Sequence, residues 1–305
     1  MDPQLAIGVD VGGTKILAGL VDRAGKIVRR HERATPEDTQ EHVLEELEAA
    51  IAELQDDRVV AIGFGAPAST DQQRGFLYRT VNTRLGDVPL RDPFQERFDV
   101  PVGLDNDANA AAIGEWRAGA GRGVDDMVML TLGTGVGGGV ISGGRPFRGN
   151  NGIGLELGHV VIVHDGRPCQ GACTGRGHAE AYLTGLAATA AAQEAFGPSA
   201  DAHRLIRLAN EDDETALAIL RELGHYLGST LGSFANVFGP ELMVIGGGFG
   251  VAGFDFLVPN ALEVMRRESL EPMRSMVRVV KAELGTAAGL IGAAFVGFEA
   301  FDSAG

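Results

Sequence analysis

The sequence predicts an α/β protein of two similar lobes, each built on a β-sheet with helices. Two observations carry this. A unit of strand, Gly/Thr turn, strand, tight turn, strand occurs twice, about 120 residues apart. Helix-period stretches follow each unit, and a flexible-looking Gly119-Ala120-Gly121-Arg122-Gly123 stretch lies between them.

In the first unit, Leu5 to Val11 reads as a strand and Gly12-Gly13-Thr14 as the turn. Ile16 to Val21 and Lys26 to Arg33 are the next two strands, joined by the Asp22-Arg23-Ala24-Gly25 turn. Thr35-Pro36 predicts a helix start, with Pro at the first helical position. Val43, Leu44, Leu47, Ala50, Ile51 and Leu54 form its apolar stripe, and Val59 to Phe64 is a buried strand. In the second unit, Met127 to Leu132, Gly133-Thr134-Gly135 and Val136 to Ile141 repeat the arrangement, followed by Ser142-Gly143-Gly144 and Arg145 to Phe147. Further on, Leu183 to Phe196, Glu214 to Phe238, Leu257 to Leu270 and Ala287 to Phe301 read as helices. Glu241 to Ile245 and Val277 to Leu284 read as strands.

The chain has 305 residues, 45% hydrophobic and 22% charged, which suits a globular protein with two cores. A formal net charge of −15 argues against a nucleic-acid partner. No apolar run is expected to span a bilayer, and no signal-type segment precedes the first strand, so no membrane partner and a cytoplasmic location are expected. Two cysteines, Cys169 and Cys173, do not make a disulfide framework; so close a pair points to metal or redox work.

The segment from Gly8 to Lys15 nearly fits a P-loop, but Thr14 precedes Lys15 and a strand-like stretch follows, so it reads as a hairpin. Gly12 and Gly13 let backbone N–H groups approach phosphate oxygens, Thr14 adds a hydroxyl, and Asp10 could hold Mg2+ through water. Gly133 to Gly138 fits G-x-G-x-x-G, yet a dinucleotide site requires a helix next, and Val140 to Gly144 is strand and turn. Either hairpin alone is equally explained as structural; the pair together suits phosphates gripped from both sides of a cleft.

Leu104 to Ala111 places Asp105, Asn106, Asp107 and Asn109 where a strand meets an Ala-rich helix. Asp107 near that N-terminus can accept a hydroxyl proton during attack on a γ-phosphate, or can serve as a plain N-cap. Glu156 and His159, spaced i, i+3, share a face of a helical turn. Cys169, Cys173 and His178, with His159, supply a Cys2His2 set for a closed, structural Zn2+ site. Two buried thiols beside surface histidines is the alternative.

Taken in order, Asp10 to Lys15, Asp105 to Ala110, Leu132 to Gly138, Glu156-Leu157-Gly158-His159, the Cys/His segment and Gly246-Gly247-Gly248 resemble the ROK family within the two-lobed actin-like ATPase (ribonuclease H-like) fold. The resemblance spans essentially the whole chain. It implies an ATP-dependent kinase of a hexose, with glucose favoured and N-acetylglucosamine, N-acetylmannosamine or fructose as alternatives. Asp107 corresponds to the family's catalytic base. Asn106, Glu156, His159 and Glu180 correspond to its sugar ligands, as does Asn82, in Val81-Asn82-Thr83 where relatives commonly have Pro-Asn-Leu. Gly12, Gly13, Thr14 and Lys15, with Gly133, Thr134, Gly135, Gly137 and Gly138, correspond to its phosphate segments, and Gly246 and Gly247 to its adenosine segment. The implied cofactors are ATP, Mg2+ and structural Zn2+; His178 stands where the family's metal segment has Cys. The C-terminal helix is expected to cross back, giving lobes of 1–118 plus 288–305 and of 119–287. A homodimer or homotetramer is implied. Sugar-responsive repressors of the family carry a helix-turn-helix ahead of the first hairpin; Asp10 lies ten residues from the start, which disfavours that reading.

Overall fold

The computed structural model describes residues 4–78, 80 and 83–305. Strands β1 (Leu5–Val11), β2 (Lys15–Asp22) and β3 (Ile27–Ala34) precede helix α1 (Gln40–Ala52) and β4 (Val59–Ala66). Three short strands, β5 (Thr70–Asp71), β6 (Phe76–Leu77) and β7 (Val88–Pro89), make a small separate sheet before α2 (Arg91–Phe98). Strand β8 (Val102–Asn106) runs directly into α3 (Asp107–Ala118). Then come β9 (Met127–Leu132), β10 (Val136–Ser142), β11 (Arg145–Phe147), α4 (Glu180–Leu183), α5 (Gly185–Phe196), α6 (Ala202–Asn210) and α7 (Glu214–Phe238). The chain ends with β12 (Leu242–Gly246), α8 (Gly248–Ala252), α9 (Phe254–Glu268), α10 (Met273–Met276), β13 (Arg278–Lys281) and α11 (Ala288–Ala304).

The two five-stranded sheets have one topology, β3-β2-β1-β4-β8 and β11-β10-β9-β12-β13. In each, three antiparallel strands joined by tight turns are extended by two parallel strands. Parallel pairing requires a crossover, and the intervening helices supply it. The central strands are apolar on both faces because both faces are covered: Leu5, Ala6, Ile7, Val9 and Val11 of β1 are all buried.

Helices α11 and α3 lie between the sheets. Leu290, Ile291, Ala294 and Phe298 of α11 pack on Ala6, Leu17, Val21 and Ala61 of the first sheet. Ala111, Ala112, Ile113 and Trp116 of α3 pack on Met127, Met129, Ile141 and Val244 of the second. Small residues bring these backbones together. A Cβ at Gly63 would strike the carbonyl of Ala293, and one at Gly292 that of Ala110. The outer face of the first sheet is covered by α1 and α2, with Phe94 edge-on to Phe64 at 5.1 Å. The outer face of the second is covered by residues of α5, α6, α7 and α9.

Several expectations are corrected in detail. The first helix starts at Gln40, not at Thr35-Pro36. Thr39 caps it by accepting from the His42 amide at 3.1 Å, while the Thr35 hydroxyl donates to the Gly12 carbonyl at 2.7 Å. Thr35 therefore buttresses the first hairpin and does not start the helix. The predicted Leu183–Phe196 helix is broken at Thr184, whose hydroxyl caps α5 by accepting from the Ala187 amide. The strand predicted at Val277 to Leu284 is only Arg278–Lys281. Contrary to the expected lack of any long apolar run, 285–304 is long and apolar enough to cross a membrane; it is half buried, packed between first sheet and α3.

Candidate active site

Strand β8 enters α3 without a loop, which puts Asn106 and Asp107 at a helix start facing the ends of both sheets. Asn106 is the N-cap: its Oδ1 accepts from the amides of Ala108 at 2.9 Å and Asn109 at 3.3 Å. The capping task considered for Asp107 thus falls to its neighbour, and Asp107 is the first helical residue, accepting from the Ala108 amide at 2.8 Å. Burial pushes the Asp107 carboxyl above the ordinary carboxylate range; the Ala108 amide opposes this and the charge of Glu156 adds to it.

A small pocket is lined by Asn106, Asp107, Gly137, Gly138 and Glu156, and closed by Ala68, Ser69 and the 152–155 backbone. It joins the helix start, the second hairpin and the Glu156 turn. Glu156 precedes a single 3-10 turn, Leu157–His159, so the shared face expected for Glu156 and His159 is realised; His159 Nδ1 lies 3.4 Å from Glu156 Oε2. Larger hollows flank α11, lined by Arg23, Arg117 and Arg145 on one side and Arg91 and Arg148 on the other. They contain none of the predicted site residues, so the smaller pocket is the candidate.

The first hairpin closes with the Gly12 amide donating to the Lys15 carbonyl at 2.9 Å. Lys15 points outward and pairs with Glu32 at 2.9 Å. Asp10, on β1 below this turn, is pushed up to about 7, by burial first and then by the charge of Asp107, against the pull of Lys15. A Cβ at Gly289, at the start of α11, would come within 2.5 Å of Asp10 Oδ2, so glycine there makes room for the carboxylate.

The second hairpin closes with the Gly133 amide donating to the Gly135 carbonyl at 2.9 Å, which leaves Thr134 at its tip. Gly247, at φ +77°, sits so close to Leu132 that any Cβ would strike its backbone, so the Gly246-Gly247 turn abuts the base of this hairpin. Glu180 is not in the small pocket. Its Oε2 accepts from the Val136 amide at 2.9 Å and its Oε1 lies 3.8 Å from Cys169 Sγ.

Ligand atoms of His159, Cys169, Cys173 and His178 all lie within 4.8 Å of one another, a cluster that could hold a metal ion. His159 Nδ1 is buried without a hydrogen-bond partner. Burial first, and the neighbouring Cys173, push the Cys169 thiol up to about 11. Predicted Asn82 lies outside the described residues.

Sequence reasoning missed Arg148, Glu115 and Gly289. Arg148 pairs with Asp105 and Glu299; desolvation pulls its guanidinium down, but Glu299 and Asp105 outweigh this and raise it. An isolated Arg or Glu has no sequence signal of pairing with a residue 43 or 169 positions away.

The ROK family profile matches residues 6–298. The chain is 35% identical over 308 residues to the glucokinase of Streptomyces coelicolor, covering 95% of this chain and 96% of that one. It is 32% identical over 309 residues to the N-acetyl-D-glucosamine kinase of Escherichia coli O6:H1, covering 95% and 98%. A crystal structure of a ROK family glucokinase from Streptomyces griseus, in complex with glucose and AMPPNP, superposes with a TM-score of 0.81 at 35% identity, covering 97% of this chain and 99% of that one. The ROK hexokinase of Thermus thermophilus gives 0.83 at 35% identity over the same shares. The duplicated sheets are those of the two-lobed actin-like ATPase fold. The six ordered motifs, the shared topology and relatives matched over nearly their full length agree: the chain belongs to the ROK family.

Proposed function

We propose that this protein is an ATP-dependent hexose kinase that phosphorylates glucose at its 6-hydroxyl. The observation that carries the reading is Asp107, a half-buried carboxylate in a pocket shared by Asn106, Glu156 and glycines of the second hairpin. The similarity to glucokinases at 35% identity supports glucose as the acceptor. We divide the lobes as 1–118 with 288–305, and 119–287, since each then keeps one five-stranded sheet.

In this reading, Asn106, Glu156 and His159 hold sugar hydroxyls, and Glu180, expected among the sugar ligands, lies outside the small pocket against the second hairpin. The two Gly/Thr hairpins bind the triphosphate, and Gly246-Gly247 the adenosine. Asp107 orients the 6-hydroxyl and takes its proton as O6 bonds to the γ-phosphorus; the bond from that phosphorus to the β,γ-bridging oxygen breaks, and its electron pair leaves with ADP. Positioning does most of the work, because a hydroxyl held in line replaces a bimolecular encounter.

Asp10, a half-buried carboxylate whose charge burial and Asp107 disfavour and Lys15 only partly offsets, fits a seat for Mg2+. When bound, Mg2+ supplies neutralising charge for the phosphates. His159, Cys169, Cys173 and His178 fit one Zn2+, and the His159 Nδ1, buried without a hydrogen bond though 3.4 Å from Glu156 Oε2, supports this. When bound, Zn2+ supplies a fixed link between the Glu156–His159 turn and the 169–178 segment. Unpaired Cys169 and Cys173 suit the reducing cytoplasm.

The test is coupled ADP release across glucose, N-acetylglucosamine, N-acetylmannosamine and fructose. Glucose is expected to give the highest kcat/KM. The match to an N-acetyl-D-glucosamine kinase makes that sugar the second reading, and a higher kcat/KM for it would replace glucose.

A further inference from the structure

Arg148 follows β11 and opens the segment that ends at Glu156. Its Nε donates to Asp105 Oδ2 at 2.6 Å, and its two terminal nitrogens fork onto Glu299 Oε1 at 2.9 Å and Oε2 at 2.7 Å. The Asp105 side chain is fully buried and that of Arg148 is only 13% exposed. Asp105 Oδ1 in turn accepts from the Asn106 amide at 2.9 Å and from Asn109 Nδ2 at 3.1 Å, and Oδ2 also accepts from Gln72 Nε2 at 3.1 Å. One guanidinium leaving the second sheet is thus a single carboxylate away from the backbone amide of Asn106, the residue before Asp107.

The same segment is tied down along its backbone. The Gly154 amide donates to the Arg148 carbonyl at 3.1 Å, and the Gln72 amide donates to the Asn151 carbonyl at 3.0 Å. Its last residues, Gly152 to Glu156, form one wall of the small pocket, and Asn106 to Ala108 form another.

We propose that the Arg148–Asp105 pair is a positioning device for the acceptor pocket, fixing the wall that carries Glu156 against the helix start that carries Asn106 and Asp107. The inference rests on the sugar-kinase reading of that pocket. Arg148 acts through Asp105 and through its own backbone, and touches neither substrate. A buried ion pair replaced on both sides by neutral groups is often neutral for stability, whereas removing one partner leaves a charge stranded. Stability and positioning can therefore be separated.

Steady-state kinetics with glucose and ATP are measured on Arg148→Met and on Arg148→Met/Asp105→Asn, alongside melting temperatures. Arg148→Met is expected to melt lower and to raise the sugar KM about ten-fold, with the ATP KM within about two-fold of the unmodified enzyme. The double variant removes the buried stranded charge at position 105, and Glu299, half exposed, is left to water. It is expected to recover the melting temperature but not the sugar KM, and it keeps the test valid if the single variant fails to fold. A double variant that recovers both makes the pair merely structural and overturns the inference. An unmodified chain without sugar-dependent ADP release removes the kinase reading and this inference together; normal sugar KM in an active, stable double variant removes this inference alone.

Discussion

The carboxylate of Glu180 accepts the amide hydrogen of Val136 at 2.9 Å. This bond joins the start of α4, just beyond the Cys/His cluster, to the second Gly/Thr hairpin. Its neighbour Gly135 is open on that side because a Cβ there would come 2.8 Å from Glu180 Oε2. Glu180→Ala is expected to lower kcat/KM for ATP about ten-fold by freeing the hairpin, while Glu180→Gln, which keeps an acceptor oxygen, loses less. Equal ATP kinetics in the two variants would show that the bond does not order the hairpin.

The His/Cys cluster reaches the hairpin through the same residue, since Cys169 Sγ lies 3.8 Å from Glu180 Oε1. Elemental analysis is expected to find one Zn2+ per chain. Cys173→Ser is expected to lower both the zinc content and the melting temperature, as loss of a structural ligand does. A metal-free protein with unchanged melting would dismiss the site.

The raised pKa of Asp107 sets the sign of two pH effects. A general base must be ionised, so kcat/KM for the sugar is expected to fall as pH drops through a value above the usual carboxylate range. The Glu156 charge raises the Asp107 pKa, so Glu156→Gln is expected to move that acid limb to lower pH, whatever it does to the height of the profile. Movement to higher pH would contradict the coupling. For stability, a carboxyl whose folded pKa lies above its unfolded value binds its proton more tightly when folded. Its penalty is absent below the unfolded pKa and grows as pH rises through the folded one. The melting temperature of Asp107→Asn relative to the unmodified chain is therefore expected to rise with pH.

Fully buried Glu115 on α3 accepts from the amides of Ala120 at 2.9 Å, Glu283 at 3.1 Å and Leu284 at 2.7 Å. It thereby clasps both stretches of chain that pass between the sheets. Glu115→Ala strands these donors, and we expect a loss of about 3 kcal/mol or more in thermal unfolding. A loss under about 1 kcal/mol would mean that water replaces the clasp without cost.

What was legible in the sequence was local. Period-2 strands flanking Gly/Thr turns marked both hairpins, and their repetition marked the duplicated sheets. The His159, Cys169, Cys173 and His178 cluster is assembled from chain segments close in sequence. What was not legible depends on contacts distant in sequence. The Thr35-Pro36 start signal lost to Thr39 because Thr35 is engaged by the Gly12 carbonyl on the first hairpin. Helices α2 and α6 are short, and α2 is held by a single buried Phe94 under the first sheet, too little for periodicity to register. Asn106 was legible as polar, but its capping role and the burial of Asp107 beside Glu156 required the fold.

The central claim is that Asp107 takes the proton of the sugar hydroxyl. The direct measurement is ATP turnover by Asp107→Asn at saturating glucose, with glucose affinity followed by calorimetry on the same protein. The account predicts a fall in kcat of about 10³-fold or more with glucose still bound. A variant that binds glucose and turns over within about ten-fold of the unmodified enzyme would contradict it.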